Sequence, residues 1–139
     1  MILITDEMKE NVEVALADGY SCLLGSVSKG GEPQISPKGS VMVYDDDTLA
    51  YWERAKRSAL QNVGENPSVV IYYNHQGNRL RWRFHGKATV YEDGPICQEV
   101  MDRCVQAELD RDPERLGVAV LVKIDKITEL SGNVLQKRG

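Results

Sequence analysis

Cationic excess is missing from this chain of 139 residues: 17 lysines and arginines face 21 aspartates and glutamates, giving a net charge of −4 and a pI near 5.2. That balance excludes a nucleic-acid binder relying on bulk positive potential, so any anion site has to be local. Cysteine is scarce as well. The three thiols, Cys22, Cys97 and Cys104, form no C-x-x-C pair, and their odd number fits reduced side chains better than a disulfide framework. The two histidines, His75 and His85, have no thiol or carboxylate pattern beside them and are too few for a metal site. No window approaches the roughly 20 apolar residues of a membrane span. The opening Met-Ile-Leu-Ile-Thr-Asp-Glu-Met lacks a basic region, and its apolar run is too short for a signal peptide. The expectation is a cytoplasmic protein with neither a membrane nor a nucleic-acid partner.

What is present is ordinary globular composition, 42% hydrophobic and 27% charged, with no repeat and no linker. One domain spanning 1–139, large enough for its own core, follows. Thr5 or Asp6 caps a first helix to about Ala17, with Met8, Val12, Ala15 and Leu16 as its apolar stripe. Tyr20–Ser28 reads as a strand, and Lys29-Gly30-Gly31-Glu32-Pro33 as a hairpin turn. A second strand follows over Gln34–Tyr44, with an irregularity at Ser36-Pro37-Lys38-Gly39, because proline removes a ladder donor. Asp45-Asp46-Asp47 is a tight turn whose three consecutive carboxylates point in different directions and read as solvated rather than as a cation site. Thr48–Trp52 is a third strand, Ala55–Glu65 a short helix, Ser68–Tyr73 a buried β-branched strand and Arg79–Tyr91 a long one. A helix from about Ile96 to Leu109 precedes a last strand over Gly117–Thr128, and the tail 131–139 is polar and expected to be only partly ordered. Six strands in hairpin order with flanking helices predict an α+β fold with a mainly antiparallel sheet, and closure into a small barrel would remove its edges.

The candidate chemistry gathers at Tyr51–Pro67, where a basic cluster reads either as a solvated face or as an anion site. Arg54, Lys56, Arg57 and Ser58 fall where a strand gives way to a helix, so cations, a hydroxyl and unpaired backbone N–H groups can converge on one anion.

Three stretches then resemble the pyridoxamine 5′-phosphate oxidase-like family of flavin-binding split barrels. They are Pro33-Gln-Ile-Ser36-Pro37-Lys38-Gly39, the run Tyr51-Trp52 with Lys56-Arg57-Ser58, Asn62 and Asn66-Pro67, and Arg79-Leu-Arg81-Trp-Arg-Phe-His-Gly86-Lys-Ala88. The resemblance implies a six-stranded split β-barrel and a homodimer that holds flavin mononucleotide (FMN) in clefts at the subunit interface. It implies phosphate ligands at Arg57 and Ser58 with Lys56 nearby, and a cofactor lining of Ser36, Pro37, Lys38 and Ser40. Tyr51, Trp52 and Arg81 complete the implied shell. A cation such as Lys38 or Arg81 beside the ring would stabilise reduced flavin. Trp82 reads either as core or interface or as a flavin stacker, and Arg83 as an ion-pair partner of Glu53 or Glu92.

Two departures bear on function. The family's commoner phosphate motif has Arg-Lys where this chain has Arg57-Ser58, so one cation is lost unless Lys56 or Arg54 replaces it. The C-terminal aromatic and arginines of true pyridoxamine-phosphate oxidases are not recognisable in Leu130–Gly139. The implied activity is an FMN-dependent oxidoreductase acting on a small molecule or a nicotinamide, with no dedicated acid–base residue because the cofactor does the chemistry. The alternatives are a flavin-binding or sensing module without turnover, and a deazaflavin or haem pocket, the last requiring His75 or His85 as axial ligand.

Overall fold

The computed structural model describes residues 1–55 and 57–139. Its elements in order are α1 Asp6–Glu13, β1 Cys22–Val27, β2 Pro33–Lys38, β3 Met42–Asp45, β4 Thr48–Glu53, α2 Ser58–Glu65, β5 Ser68–His75 and β6 Leu80–Tyr91. They continue with α3 Gly94–Arg103, α4 Gln106–Leu109, β7 Val118–Glu129 and β8 Val134–Lys137. All strand pairs are antiparallel, in the order β2-β1-β5-β6-β7-β4-β3, with β8 added beside β7. The α+β split barrel is as expected, but the described residues form eight strands rather than six.

Both extra strands have identifiable causes. The expected strand over 34–44 breaks at Gly39-Ser40-Val41 into β2 and β3, which lie at opposite ends of the sheet order. The tail is ordered, not frayed. β8 pairs with β7, the amino group of Met1 donates to Lys137 O at 3.0 Å, and Leu3 and Gln136 exchange two hydrogen bonds. Arg138 ties the end down on Ile124 O and Asp47. The expected helix to Leu109 also divides, since Cys104 takes an extended conformation at the end of α3.

Strand alternation makes two cores. Inward residues Leu24, Leu49, Tyr51, Ile71, Tyr73, Phe84, Val120 and Val122 fill the barrel with α1 and part of α2. Full burial of Leu24, Ile71 or Phe84 stabilises by about 1.5–3 kcal/mol each. The outward residues Met42, Ala50, Trp52 and Ala119 meet Cys97, Val100, Cys104 and Leu109 under α3 and α4. Trp82 belongs to the first core, stacked on Tyr73 at 5.3 Å. Gly86 sits at a bulge where a Cβ would collide with the Lys123 carbonyl oxygen of β7.

The two edge strands are finished by side chains. On β2, Pro33 and Pro37 leave two edge positions without a donor. On β3, Glu13 accepts from Val43 N at 2.8 Å, while Arg103 donates to Val43 O at 2.7 Å and Tyr44 O at 3.2 Å. A carboxylate and a guanidinium thus take the place of a neighbouring strand.

The outer face of the sheet continues through β2, β1 and β5, away from the α3 and α4 cluster. Leu23, Gly25, Ile35, Val70 and Tyr72 line a shallow groove of ≈ 260 Å³ there, and Ile35 is 72% exposed.

Candidate functional site

Pleating decides which of the expected residues can meet. Lys38 is registered with Cys22 and Ser36 with Leu24, and both partners are buried inside, so Gln34, Ser36 and Lys38 face the barrel side of β2. Leu49, Tyr51 and Glu53 face the same side from β4. The two strands meet in an ion pair: Lys38 Nζ lies 2.8 and 3.0 Å from the Glu53 carboxylate oxygens, with the side chains 10% and 3% exposed. The ammonium also lies 5.8 Å from the centre of the Tyr51 ring. Burial first, and the Glu53 charge second, push the Tyr51 phenol far above its ordinary range. Its hydroxyl has no hydrogen-bond partner among the described residues.

Glu53 is the residue that sequence reasoning missed. The alternation Leu49, Tyr51, Glu53 was the available signal, since it carries a carboxylate inward at the strand's end. Lys38 therefore does not offer an unmatched cation, and Arg83 does not pair with Glu53 or Glu92. Arg83 donates instead to Glu129 O and Leu130 O at 3.2 and 3.0 Å.

Beyond Glu53 the chain reaches α2. Arg57 is its N-cap, extended and exposed, with no side-chain cap on the helix. The N–H groups of Ser58, Ala59 and Leu60 consequently lack intrahelical acceptors. Ser58 is exposed, and Asn62 anchors the helix inward by donating to Ser26 Oγ at 3.2 Å. Lys56, expected to assist, lies outside the described residues. Arg54, the other candidate cation, is committed to Glu108 at 3.1 Å. Ser36 accepts from Gln34 Nε2 at 3.3 Å and keeps its own proton to donate.

Four expected residues stand apart from this group in a single chain. Ser40 is buried, donating to Trp52 O at 3.1 Å and accepting from Trp52 N at 2.9 Å, which stitches the start of β3 to the end of β4. Trp52 points to the opposite face, where its Nε1 donates to Asp112 at 2.9 Å. Pro37 is exposed on the outer side of β2 beside Ile35. Arg81 alternates with buried Trp82 and Phe84, so it too lies on the outer face, its Nε donating to Asn74 at 3.1 Å.

The two histidines have separate surroundings. His75 packs in a tilted arrangement on Tyr20, with ring centroids 4.3 Å apart, and accepts from Asn78 N. His85 lines the outer face, and burial, then Lys126 and Arg83, lower its pKa. Among the described residues no group of three or more His, Cys, Asp or Glu side chains could hold a metal. No helix there is long and apolar enough to cross a membrane.

The family profile of pyridoxamine 5′-phosphate oxidase matches residues 5–129. The chain belongs to that family. Solved structures similar to this family member include HupZ of Group A Streptococcus, at 22% identity over 99% of this chain and 100% of that one, with a TM-score of 0.74. An FMN-binding protein of Syntrophomonas wolfei matches at 18% identity over 89% and 86% of the two chains, with a TM-score of 0.67. General Stress Protein 26 of Bacillus anthracis matches at 15% identity over 94% and 98%, with a TM-score of 0.69. At these identities the likeness is one of fold. No curated protein matches this pyridoxamine 5′-phosphate oxidase family member.

Proposed function

We propose that the protein is a homodimeric FMN-binding flavoprotein and an oxidoreductase acting on a small molecule or a nicotinamide. The observation that carries the reading is the uncapped start of α2, with exposed Arg57 and Ser58 in a chain whose family is that of a flavin-linked oxidase. The residues fit the group. A planar guanidinium, a hydroxyl and oriented N–H groups suit a phosphate. Ser36 has a proton for a ribityl hydroxyl, and the Tyr51 hydroxyl lacks an acceptor.

When bound, FMN would supply hydride or single-electron transfer. The chain's own residues would do the rest. Arg57 and Ser58 hold the phosphate, Ser36 orients the sugar chain, and the Lys38–Glu53 pair presents a nearly neutral wall instead of a cation. Arg81 lies on the face opposite to Ser36 and Lys38, so it completes a site only across an interface. The exposed groove at Ile35 is the surface through which two copies would pack, and apolar contact there brings one copy's Arg81 toward the other's cleft.

The purified protein should show flavin absorption, or take up added FMN. Arg57→Ala should weaken that uptake roughly 10- to 100-fold through loss of a charged hydrogen bond. A colourless protein that ignores added FMN overturns the reading. Faster reduction of bound than of free flavin by a nicotinamide supports turnover, and its absence with both nicotinamides favours a binding module. Ile35→Asp should convert a dimer to monomer in sedimentation velocity and release flavin, whereas a flavin-loaded monomer refutes the interface site.

A further inference from the structure

The turn joining β5 to β6 holds a cation where its backbone favours another residue. Register pairing of His75 with Leu80 leaves the four residues 76–79 to close the hairpin. Arg79 adopts φ 61, the left-handed region that glycine or asparagine fills at least strain, although Gly77 and Asn78 immediately precede it. Strain retained on a long charged side chain points to a use for that side chain. Among the described residues the Arg79 guanidinium makes no hydrogen bond and no ion pair.

Arg79 borders a pocket of ≈ 310 Å³ where the start of β6 meets the β7–β8 turn, shared with Arg81, Trp82, Glu129, Leu130 and Ser131. Arg81 is held by Asn74 through Nε, which leaves its two terminal nitrogens to donate elsewhere. Arg83 fixes the far wall by its two bonds to the Glu129 and Leu130 carbonyls. Glu129 is the one carboxylate among the lining residues, and it accepts from Asn133 Nδ2 at 3.4 Å. Two guanidinium groups over an apolar wall, against one carboxylate, form a positive recess in a chain of net charge −4.

We propose that this pocket binds the acid group, a carboxylate or a phosphate, of a small ligand, with Arg79 as the principal contact and Arg81 as the second. That the ligand is the substrate rests on the flavoprotein reading; the binding itself does not. It adds a specificity-determining residue, Arg79, and restricts the ligand to an anion.

The test is isothermal titration of the full-length protein, with and without FMN, using phenyl phosphate and benzoate as probes. Binding should weaken at least tenfold in Arg79→Gly and partly recover in Arg79→Lys. Arg79→Gly should also melt higher than wild type, because glycine relieves the φ strain. Preference for one probe identifies the acid. Arg57→Ala/Ser58→Ala should abolish FMN uptake and leave this binding within about twofold. Loss of FMN uptake by wild type with Arg79-dependent binding intact would sink the flavoprotein reading alone. Probe binding that disappears in Arg57→Ala/Ser58→Ala and survives in Arg79→Gly overturns the pocket. So does an affinity weaker than about 10 mM for both probes in wild type.

Discussion

Replacing Glu53 by glutamine removes the charge opposite Lys38 while keeping the shape of the side chain. The two side chains are 3% and 10% exposed, so the lysine is left with an uncompensated, largely buried ammonium. Breaking a buried pair from one side costs about 3–5 kcal/mol. The slight exposure of Lys38 lets its head move toward water, which puts Glu53→Gln near the lower end, about 3 kcal/mol. For a chain of this size that lowers Tm by roughly 10–15 °C, readable by calorimetry and by urea unfolding. Lys38→Met should be worse, because Glu53 is the more buried partner and its carboxylate meets no other cation among the described residues. The double variant Lys38→Met/Glu53→Leu should fall within about 1 kcal/mol of wild type, since well-packed apolar residues replace buried pairs at little cost. The expected order is therefore Lys38→Met least stable, then Glu53→Gln, then the double variant. If Glu53→Gln unfolds within about 0.5 kcal/mol of wild type, the pair is screened like a surface one and the reasoning fails.

Asp112 accepts from Trp52 Nε1, Leu116 N and Gly117 N, each at 2.9 Å. Burial alone raises its pKa, but those three donors and Arg115 together outweigh it, and the carboxyl sits below its ordinary value. The unfolded chain therefore binds the extra proton first, so stability is present above about pH 4 and declines as pH falls through the folded-state pKa. Asp112→Asn should flatten the acid limb of a Tm–pH curve, and Asp112→Ala should cost about 3 kcal/mol; an unchanged acid limb contradicts the assignment. Burial pushes the thiols of Cys22 and Cys104 up to about 12 and about 11. Cys22 and Cys104 of the folded protein should resist a thiol-directed reagent at pH 8, read residue by residue by peptide mass spectrometry. Stability should fall as pH rises above about 9, because the unfolded thiols lose their protons first. Rapid labelling of either thiol in native protein would count against this.

Local signals carried much of the fold. Thr5 does cap α1, accepting from Met8 N at 3.1 Å, and the β-branched run after Pro67 is the strand β5. What stayed hidden depended on partners far along the chain. β8 is polar and unremarkable in itself, and its order comes from the N-terminal segment and from Arg138 reaching Asp47, 91 residues away. The break between β2 and β3 reflects Ser40 bonding to the Trp52 backbone, a contact no periodicity encodes. At the site, the family resemblance grouped Lys38 with Tyr51, but the neutralising role of Glu53 needed the β2–β4 approach. The opposite facing of Arg81 was available from its alternation with Trp82 and Phe84. Its consequence appears only when Ser36 and Lys38 are assigned to the other side of the sheet.

The side chains that finish β2 and β3 also constrain how this protein can associate. An open strand rim is a template on which another chain can grow without limit. Here Pro33 and Pro37 interrupt one rim, while Glu13 and Arg103 occupy the polar groups of the other. Rim-to-rim polymerisation is thereby opposed at both ends, and the proposed homodimer has to form face-on. Removing Glu13 and Arg103 together would reopen a rim, and the outcome to expect is fibrous or amorphous assembly instead of a better dimer.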